Sequence, residues 1–390
     1  MRQRALLLAV SALACAVPLA AQGKGKRVCT VCENDATLLA RNGMSHGPFP
    51  FAKSDTGAIE SEYLFLPVWI ETPHLRIGAE LETWKVPEEE RKAYRAELEA
   101  LARKWPEIDP KKMTLDPWLR AHLLADRAER FYAQFMQLMG SSDAVFADPE
   151  KNRMSGWGPY AGESDKFEVM IFRGRHLYAE FMQKVWGLHY VKPQRYNNLS
   201  RDCMWFGFSQ EEDGIRHDQH VHSMVRHNLA HNFLDGYHHY SYEMPVWITE
   251  GFAHWAEIDN DPRFHMFDFV EGVFQEPKTV SSWPAEVRKM AVGGETVPFT
   301  QLLHRKSFAE LDFEDHLMAW SKIDFLIRTD AVKFGKFVTT LKNRRDERGY
   351  PDGSKMDDAQ RDALKQFYGW TWQQAEEHWK EWVLATYPVK

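Results

Sequence analysis

The sequence predicts an α+β protein that is mainly helical, with a small N-terminal β-sheet and a helical C-terminal half. Apolar stretches of strand length, rich in branched and aromatic residues, fall in the first part of the chain. From about residue 213 onward, the apolar residues recur almost wholly at helical spacing. Since 390 residues exceed the usual size of a single core, we expect two parts, 61–212 and 213–390.

The first 21 residues are expected to be a signal peptide. Arg2 and Arg4 precede an apolar run over 5–16, and a small-residue cleavage site ends at Ala21. A run of about 12 apolar residues is too short to span a bilayer, which takes roughly 20. A lipid anchor at Cys15 is the alternative, although its surroundings resemble a lipobox only weakly. We therefore expect export, to the periplasm or the extracellular space, without a membrane span.

Residues 22–60 are Gly-rich and weakly patterned, and are predicted to form an irregular N-terminal arm. Cys29 and Cys32 form a Cys-x-x-Cys pair in this arm. In an oxidising compartment such a pair is expected to form a local disulfide. The alternative is that both thiolates bind a second metal, together with His46, because Cys-x-x-Cys is a common half of a zinc site. Both interpretations remain open at this point.

The predicted strands all lie in the first part of the chain, with helices between them. Strands are predicted at 63–70, 75–84, 167–172 and 203–208, and helices at 87–104, 118–139 and 176–186. Pro87 and the three Glu residues that follow it are typical of a helix start. Near the C terminus, Thr371 and Gln374 predict a capping box for a last helix. Its apolar face would comprise Trp372, Ala375, Trp379 and Trp382.

Two histidines and a glutamate in the helical half indicate a metal site. The segment 224–234 contains neither Pro nor Gly and is predicted to be helical. His227 and His231 are four residues apart, so both imidazoles lie on one helix face and can reach one zinc ion. A second predicted helix, with Pro245 in its first turn, would bring Glu250 to the ion as an anionic third ligand. The fourth position would then be open for water or substrate.

This combination resembles the gluzincin metallopeptidases, in particular the peptidase MA-like group of exported proteins, which have a zincin-like fold. Their motif is His-Glu-x-x-His, an 18-residue gap, and then Glu within Trp-x-x-Glu-Gly-x-Ala. Here residues 232–249 form the gap of 18 residues, and 247–253 match the second segment. The resemblance implies a zincin-like fold, a zinc ion bound by His227, His231 and Glu250, and a peptide or protein as substrate or ligand.

The sequence departs from this family at Asn228. In active members the residue after the first ligand is Glu, which takes the proton from the zinc-bound water, and an amide cannot do so at neutral pH. General-base catalysis is typically worth about 10² to 10⁴ in rate. We therefore expect at most a weak or atypical peptide hydrolase. The alternative is an inactive pseudopeptidase that binds peptides, acts as a scaffold or binds metal. Zinc is the expected cofactor in both cases, and the protein is expected to be a monomer.

Other residues could support or replace the missing base. Glu257 lies two turns beyond Glu250 and is expected to orient a ligand histidine. His316 aligns with a Tyr of the family that donates a hydrogen bond in the transition state, and is a candidate for that role. The further candidates for the donor are Tyr237, Tyr240 and Tyr242, and those for the base are Glu243, Glu257 and His222.

Three further features of the sequence bear on binding partners. The histidines at 217–222 and 238–239 are expected to be solvated at the surface, or alternatively to bind additional metal. The strand at 204–208 is expected to be an edge strand that pairs with an extended peptide, and the alternative is a buried strand. The net charge of −7 argues against nucleic acid as a partner, because phosphate binding needs a basic surface.

Overall fold

The computed structural model describes residues 27–63, 66–148, 156–189, 191–211, 214–238, 244–267 and 280–389. The signal peptide predicted for residues 1–21 lies outside these ranges. Within them, no helix combines the length and the apolar character that crossing a bilayer requires.

The strands and helices of the described residues have the following bounds. The strands are β1 Pro50–Phe51, β2 Ser54–Asp55, β3 Val68–Glu71, β4 Leu75–Ala79, β5 Trp84–Lys85, β6 Thr114–Leu115, β7 Phe167–Phe172, β8 Gln194–Asn198 and β9 Cys203–Ser209. The helices are α1 Ala36–Arg41, α2 Thr56–Tyr63, α3 Arg91–Ala102, α4 Pro117–Leu138, α5 Asp143–Phe146, α6 Arg175–Phe181, α7 Asp218–Gly236, α8 Val246–Asn260, α9 Trp283–Gly293, α10 Phe299–Leu302, α11 Phe313–Thr329, α12 Ala331–Lys342, α13 Met356–Tyr368 and α14 Trp372–Thr386.

A mixed five-stranded sheet has the order β3-β4-β7-β9-β8. The central pairs β4–β7 and β7–β9 are parallel, whereas β3 and β8 run antiparallel to their neighbours. In the described part of the chain, every regular element after β9 is helical. The predicted α+β class, with a sheet in the first part and helices in the second, is therefore confirmed.

The strand predicted at the sheet edge lies inside the sheet. β9 pairs with β7 on one side and with β8 on the other. All seven of its residues are buried, which is typical of a strand covered on both faces. The edge position belongs to β8, whose polar sequence Gln194–Asn198 gave no strand signal. Any peptide that extends this side of the sheet would pair with β8.

The N-terminal arm is more regular than its composition predicted. Its described part, from residue 27, contains α1, the β1–β2 hairpin and the first residues of α2. The carboxylate of Asp35 accepts hydrogen bonds from the backbone N–H groups of Thr37 and Leu38, which begins α1. This local capping stabilises a helix of six residues that is too short to show periodicity.

The helical predictions agree closely with the observed elements. α4 begins at Pro117, with the Asp116 side chain capping its first turn. Thr371 and Gln374 form the predicted reciprocal capping box at the start of α14. On the predicted apolar face of α14, Ala375 and Trp379 are fully buried, whereas Trp372 and Trp382 pack against the core from partly buried positions.

Candidate metal centre

Helix α7 carries both predicted histidine ligands. Its first turn is stabilised by His217, whose Nδ1 accepts a hydrogen bond from the backbone N–H of Gln219 at 3.1 Å. Asp218 adds a negative charge at the N-terminal end, where the helix dipole favours it. His227 and His231 lie on the same face and are both fully buried.

Helix α8 packs along α7 and carries the glutamate. Contacts run from His227 to Glu257 and from His231 to Glu250, so later residues of α7 meet earlier residues of α8 and the helices are antiparallel. Gly251 lets α8 approach α11 closely, because a Cβ there would lie 2.5 Å from the carbonyl oxygen of Ala319. This close approach places Glu250 between α7 and α11.

The three predicted ligands converge. His227, His231 and Glu250 each offer one ligand atom within 4.8 Å of the others, and His231 Nε2 lies 3.2 Å from Glu250 Oε2. Ligand atoms around a tetrahedral zinc ion are separated by about 3.3 Å when each bond is about 2.0 Å. The site is therefore a buried His/Glu group that could hold a metal ion.

Glu257 lies where it can orient a ligand. His227 Nδ1 donates a hydrogen bond to Glu257 Oε2 at 2.8 Å, so Nε2 is the ring nitrogen that could bind a metal ion. The same carboxylate accepts hydrogen bonds from His254 Nδ1 at 2.7 Å and from the backbone N–H of Met266 at 3.0 Å. This is the carboxylate–histidine arrangement that fixes the tautomer and orientation of metal ligands.

His254 was missed by the sequence analysis. It lies one helical turn beyond Glu250, and its two ring nitrogens lie 3.1 Å from Glu250 Oε1 and 2.7 Å from Glu257 Oε1. Burial by itself would lower the pKa of His254, but the two carboxylates outweigh it and raise the pKa to about 10. The i, i+4 spacing from Glu250, the same that relates His227 to His231, was the available signal.

His316 of α11 also lies in the centre. Its Nδ1 is 3.0 Å from Glu250 Oε1 and 2.9 Å from His254 Nε2. Glu250, His254 and His316 thus form a second group that could hold a metal ion and that shares Glu250 with the first. Desolvation would raise the pKa of Glu250, but His254, His231 and His316 hold it well below its usual range. This lowered pKa favours the ionised form of the Glu250 carboxylate.

Asn228 is held by hydrogen bonds at both ends of its amide. Its Nδ2 donates to the carbonyl oxygen of Met224 at 2.9 Å, and its Oδ1 accepts from Arg195 Nη1 at 3.0 Å. Arg195 comes from the edge strand β8, and its guanidinium lies 5.9 Å from the ring of Phe308, which in turn is 5.7 Å from the ring of His231. No motif in the sequence had indicated Arg195.

Several candidate residues lie away from the centre. His222 contacts Asp218 at 3.2 Å, and the Tyr237 hydroxyl contacts Thr339 at 3.1 Å. His220 stacks on Phe264, and His238 is buried against aromatic rings rather than solvated. In the described part of the chain, none of the histidines at 217–222 or at 238 joins a group that could hold a metal. His239, Tyr240, Tyr242 and Glu243 lie outside the described residues.

Cys29 and Cys32 are buried free thiols. The structure therefore does not contain the expected disulfide between them. They form a separate group with His46 and His122 that could hold a metal ion.

Comparison with known proteins found no family model, no curated protein and no solved structure that matches this chain.

Proposed function

We propose that this chain is an exported, monomeric zinc-binding protein with a gluzincin-type metal centre, and at most a weak or atypical peptide hydrolase. The convergence of His227, His231 and Glu250, with Glu257 orienting His227, carries the proposal. A zinc ion held there would act as a Lewis acid and lower the pKa of its bound water towards about 7. Three protein ligands leave one position open for a peptide carbonyl or water.

The expectation of weak hydrolysis rests on the hydrogen bonds of Asn228 and Glu257. The amide of Asn228 cannot accept a proton at neutral pH, and it is occupied by Arg195 and Met224. Both oxygens of Glu257 are engaged with histidines, so this carboxylate orients ligands and is not available as a base. The loss of general-base catalysis is expected to cost about 10² to 10⁴ in rate.

A pseudopeptidase that binds peptides without cleaving them is the second candidate, and one contact favours it. Arg195 donates to Asn228 and so fixes a cation beside the position where a base would act. A guanidinium there suits an anionic group, such as a carboxylate of a bound peptide, better than it suits activation of water. The edge strand β8, which carries Arg195, could pair with an extended peptide backbone.

Elemental analysis of the purified protein tests the metal site. We expect the His227→Ala, His231→Ala double variant to contain one zinc ion per chain fewer than the wild type, because two of three ligands are removed. Equal metal content in the two proteins would contradict the assignment of these ligands. Absence of any metal from both would reject zinc binding at this centre.

Peptidase assays with Asn228→Glu separate the two functions, and Asn228→Gln is the matched control because it has the same length without the charge. A gain of about 10² to 10⁴ in hydrolysis, abolished by chelator, is expected if only the base is missing. The change is also made together with Arg195→Met, because Arg195 would pair with the new carboxylate. Chelator-sensitive wild-type cleavage that Asn228→Glu does not increase would indicate another base. Zinc binding without cleavage by any variant would favour the pseudopeptidase.

A further inference from the structure

A second group of metal-binding side chains lies apart from the centre described above. It consists of Cys29, Cys32, His46 and His122, whose ligand atoms all lie within 4.8 Å of one another. Three separate parts of the chain supply them: the Cys-x-x-Cys turn, the segment before β1, and helix α4. The sequence had indicated the cysteines and His46, whereas His122, 90 residues beyond Cys32, was missed.

The distances within this group match those around a tetrahedral ion. Cys29 Sγ lies 3.4 Å from His122 Nε2, and Cys32 Sγ lies 3.9 Å from His46 Nε2. With Zn–S bonds of about 2.3 Å and Zn–N bonds of about 2.0 Å, tetrahedral geometry separates sulfur and nitrogen by about 3.5 Å. We propose that Cys29, Cys32, His46 and His122 bind a structural zinc ion in a closed site with four protein ligands.

The turn around the cysteines is built to present sulfur to a cation. The backbone N–H of Val31 donates to Cys29 Sγ at 3.3 Å, a contact that stabilises a thiolate. Glu33 and Asn34 follow with φ of 51° and 60°, a left-handed conformation that turns the chain sharply after Cys32. The Asn34 side chain then accepts a hydrogen bond from the backbone N–H of Cys29 at 3.2 Å.

The histidines are oriented for ligation as well. His46 Nδ1 lies 3.3 Å from Asn34 Oδ1, so its N–H can donate there while Nε2 faces Cys32. His122 is fully buried, and its ring packs edgewise against Trp105. A disulfide between Cys29 and Cys32 would leave the buried imidazole of His122 and the half-buried imidazole of His46 without a shared partner, whereas an ion uses all four groups.

Charge and coordination number both indicate a structural role. Two thiolates and two neutral imidazoles neutralise one Zn²⁺, and two thiol protons are released on binding, so a neutral site replaces buried polar groups. Four protein ligands leave no position for water or substrate. The ion would join the N-terminal arm to α4 within the apolar cluster that contains Tyr94, Leu98 and Trp105.

Metal analysis of four proteins tests this proposal separately from the proposed function. We expect two zinc ions per chain in the wild type. The Cys29→Ser, Cys32→Ser double variant and the His227→Ala, His231→Ala double variant should each contain one. Cys203→Ser is the matched control, since Cys203 is also a buried free thiol but lies in β9, and it should retain both ions. If the cysteine variant keeps the full wild-type zinc content, the four-ligand site is wrong, whatever the result at the other centre.

Cobalt substitution and thiol labelling provide two further tests of the site. Co²⁺ bound here should give a thiolate-to-cobalt charge-transfer absorption in the near ultraviolet, which a site with only His and Glu ligands lacks. The absorption should survive in the His227→Ala, His231→Ala double variant, be lost in the Cys29→Ser, Cys32→Ser double variant, and be weakened in His122→Gln, which keeps both thiolates but removes one ligand. Alkylation in denaturant with chelator but without reductant should label three cysteines, Cys29, Cys32 and Cys203, apart from Cys15. Labelling of Cys203 alone among these would show a disulfide and overturn the proposal.

Discussion

Glu257 is the residue that we expect to orient His227 in the candidate metal centre. Its carboxylate accepts hydrogen bonds from His227, His254 and the backbone of Met266, and it is fully buried. Replacing Glu257 by Gln removes the charge with little change in side-chain shape, and it weakens the hydrogen bond that orients the His227 ring. The residue therefore allows the contribution of ligand orientation to be measured separately from that of the ligands themselves.

We expect Glu257→Gln to lower zinc affinity about 10- to 100-fold, because loss of a carboxylate that orients a ligand histidine typically has this effect. Competition with a chromophoric chelator measures the affinity. Glu381→Gln is the control, since Glu381 is an exposed residue of α14. Equal affinities in Glu257→Gln and the wild type would show that His227 does not depend on this hydrogen bond.

At the residue scale, sequence spacing indicated the candidate ligands but not their surroundings. His227, His231 and Glu250 follow a pattern whose spacing reflects helix geometry, so they could be predicted together. His254 and Arg195 could not be assigned, because their roles depend on how α8 and β8 pack against α7. His122 contacts Cys29 across 93 residues, a separation that no local pattern encodes.

At the scale of elements, the packing of α8 against α11 depends on Gly251. We expect Gly251→Ala to destabilise the protein by about 1 to 3 kcal/mol, because the new Cβ would lie 2.5 Å from the Ala319 carbonyl oxygen and the helices must separate. Zinc affinity should fall as well, since Glu250 is adjacent. Urea unfolding and chelator competition measure the two effects.

Gly293→Ala is the control for this substitution. Gly293 is the last residue of α9, and a Cβ there would meet nothing nearer than the Glu295 side chain at 3.7 Å. Its replacement is expected to be neutral or to stabilise the helix by up to about 1 kcal/mol. If Gly251→Ala and Gly293→Ala both have the free energy of unfolding of the wild type, α8 and α11 lie farther apart than in the structure.

The start of α7 is fixed by Asp218, which accepts hydrogen bonds from Tyr94 of α3 at 2.7 Å and from Arg120 of α4 at 2.6 Å. Burial would raise the pKa of Asp218, but His222, Arg120 and Arg127 hold it well below its usual range. A depressed pKa contributes stability that is present above the unfolded-state pKa of about 3.9 and is lost as the pH falls below it.

We therefore expect Asp218→Asn to lower the free energy of unfolding by about 3 to 5 kcal/mol at neutral pH, because Arg120 is left buried without its carboxylate. The difference from the wild type should shrink as the pH falls from about 5 to 2. Urea unfolding at several pH values measures this difference in the free energy of unfolding. Asp362→Asn, at an exposed position, should show no such trend. A difference that does not change with pH would contradict the role of the charge.

The elements with strong local signals could be predicted from the sequence. β7, α4 and α14 have bounds close to those predicted, because alternation, Pro at a first turn and a capping box are local properties. The edge strand β8 was missed because its five residues are polar and pair only through their backbone. The order of strands depends on contacts between distant segments, so β9 was wrongly expected at the edge.

For the whole molecule, metal removal is expected to lower thermal stability in two independent steps. An ion present at 100 times its dissociation constant stabilises the folded state by about 2.7 kcal/mol. Chelator should therefore lower the midpoint temperature of unfolding of the wild type. The decrease should be smaller in the Cys29→Ser, Cys32→Ser double variant and in the His227→Ala, His231→Ala double variant. Differential scanning calorimetry measures the shifts, and chelator saturated with zinc is the control. A midpoint unaffected by chelator would mean that neither group binds metal.

Each group that could hold a metal ion lies against tryptophan. The ring of Trp283 is 4.8 Å from that of His254, whereas Trp105 and Trp118 lie 4.7 Å and 4.8 Å from His122 and His46. A copper or cobalt ion bound at either position would therefore quench the emission of its own neighbours. Replacing Trp283 by Phe would remove the emission near His254, and replacing Trp105 and Trp118 by Phe would remove the emission near His122 and His46. The fluorescence of these tryptophans would then report which of the two candidate sites binds an ion first.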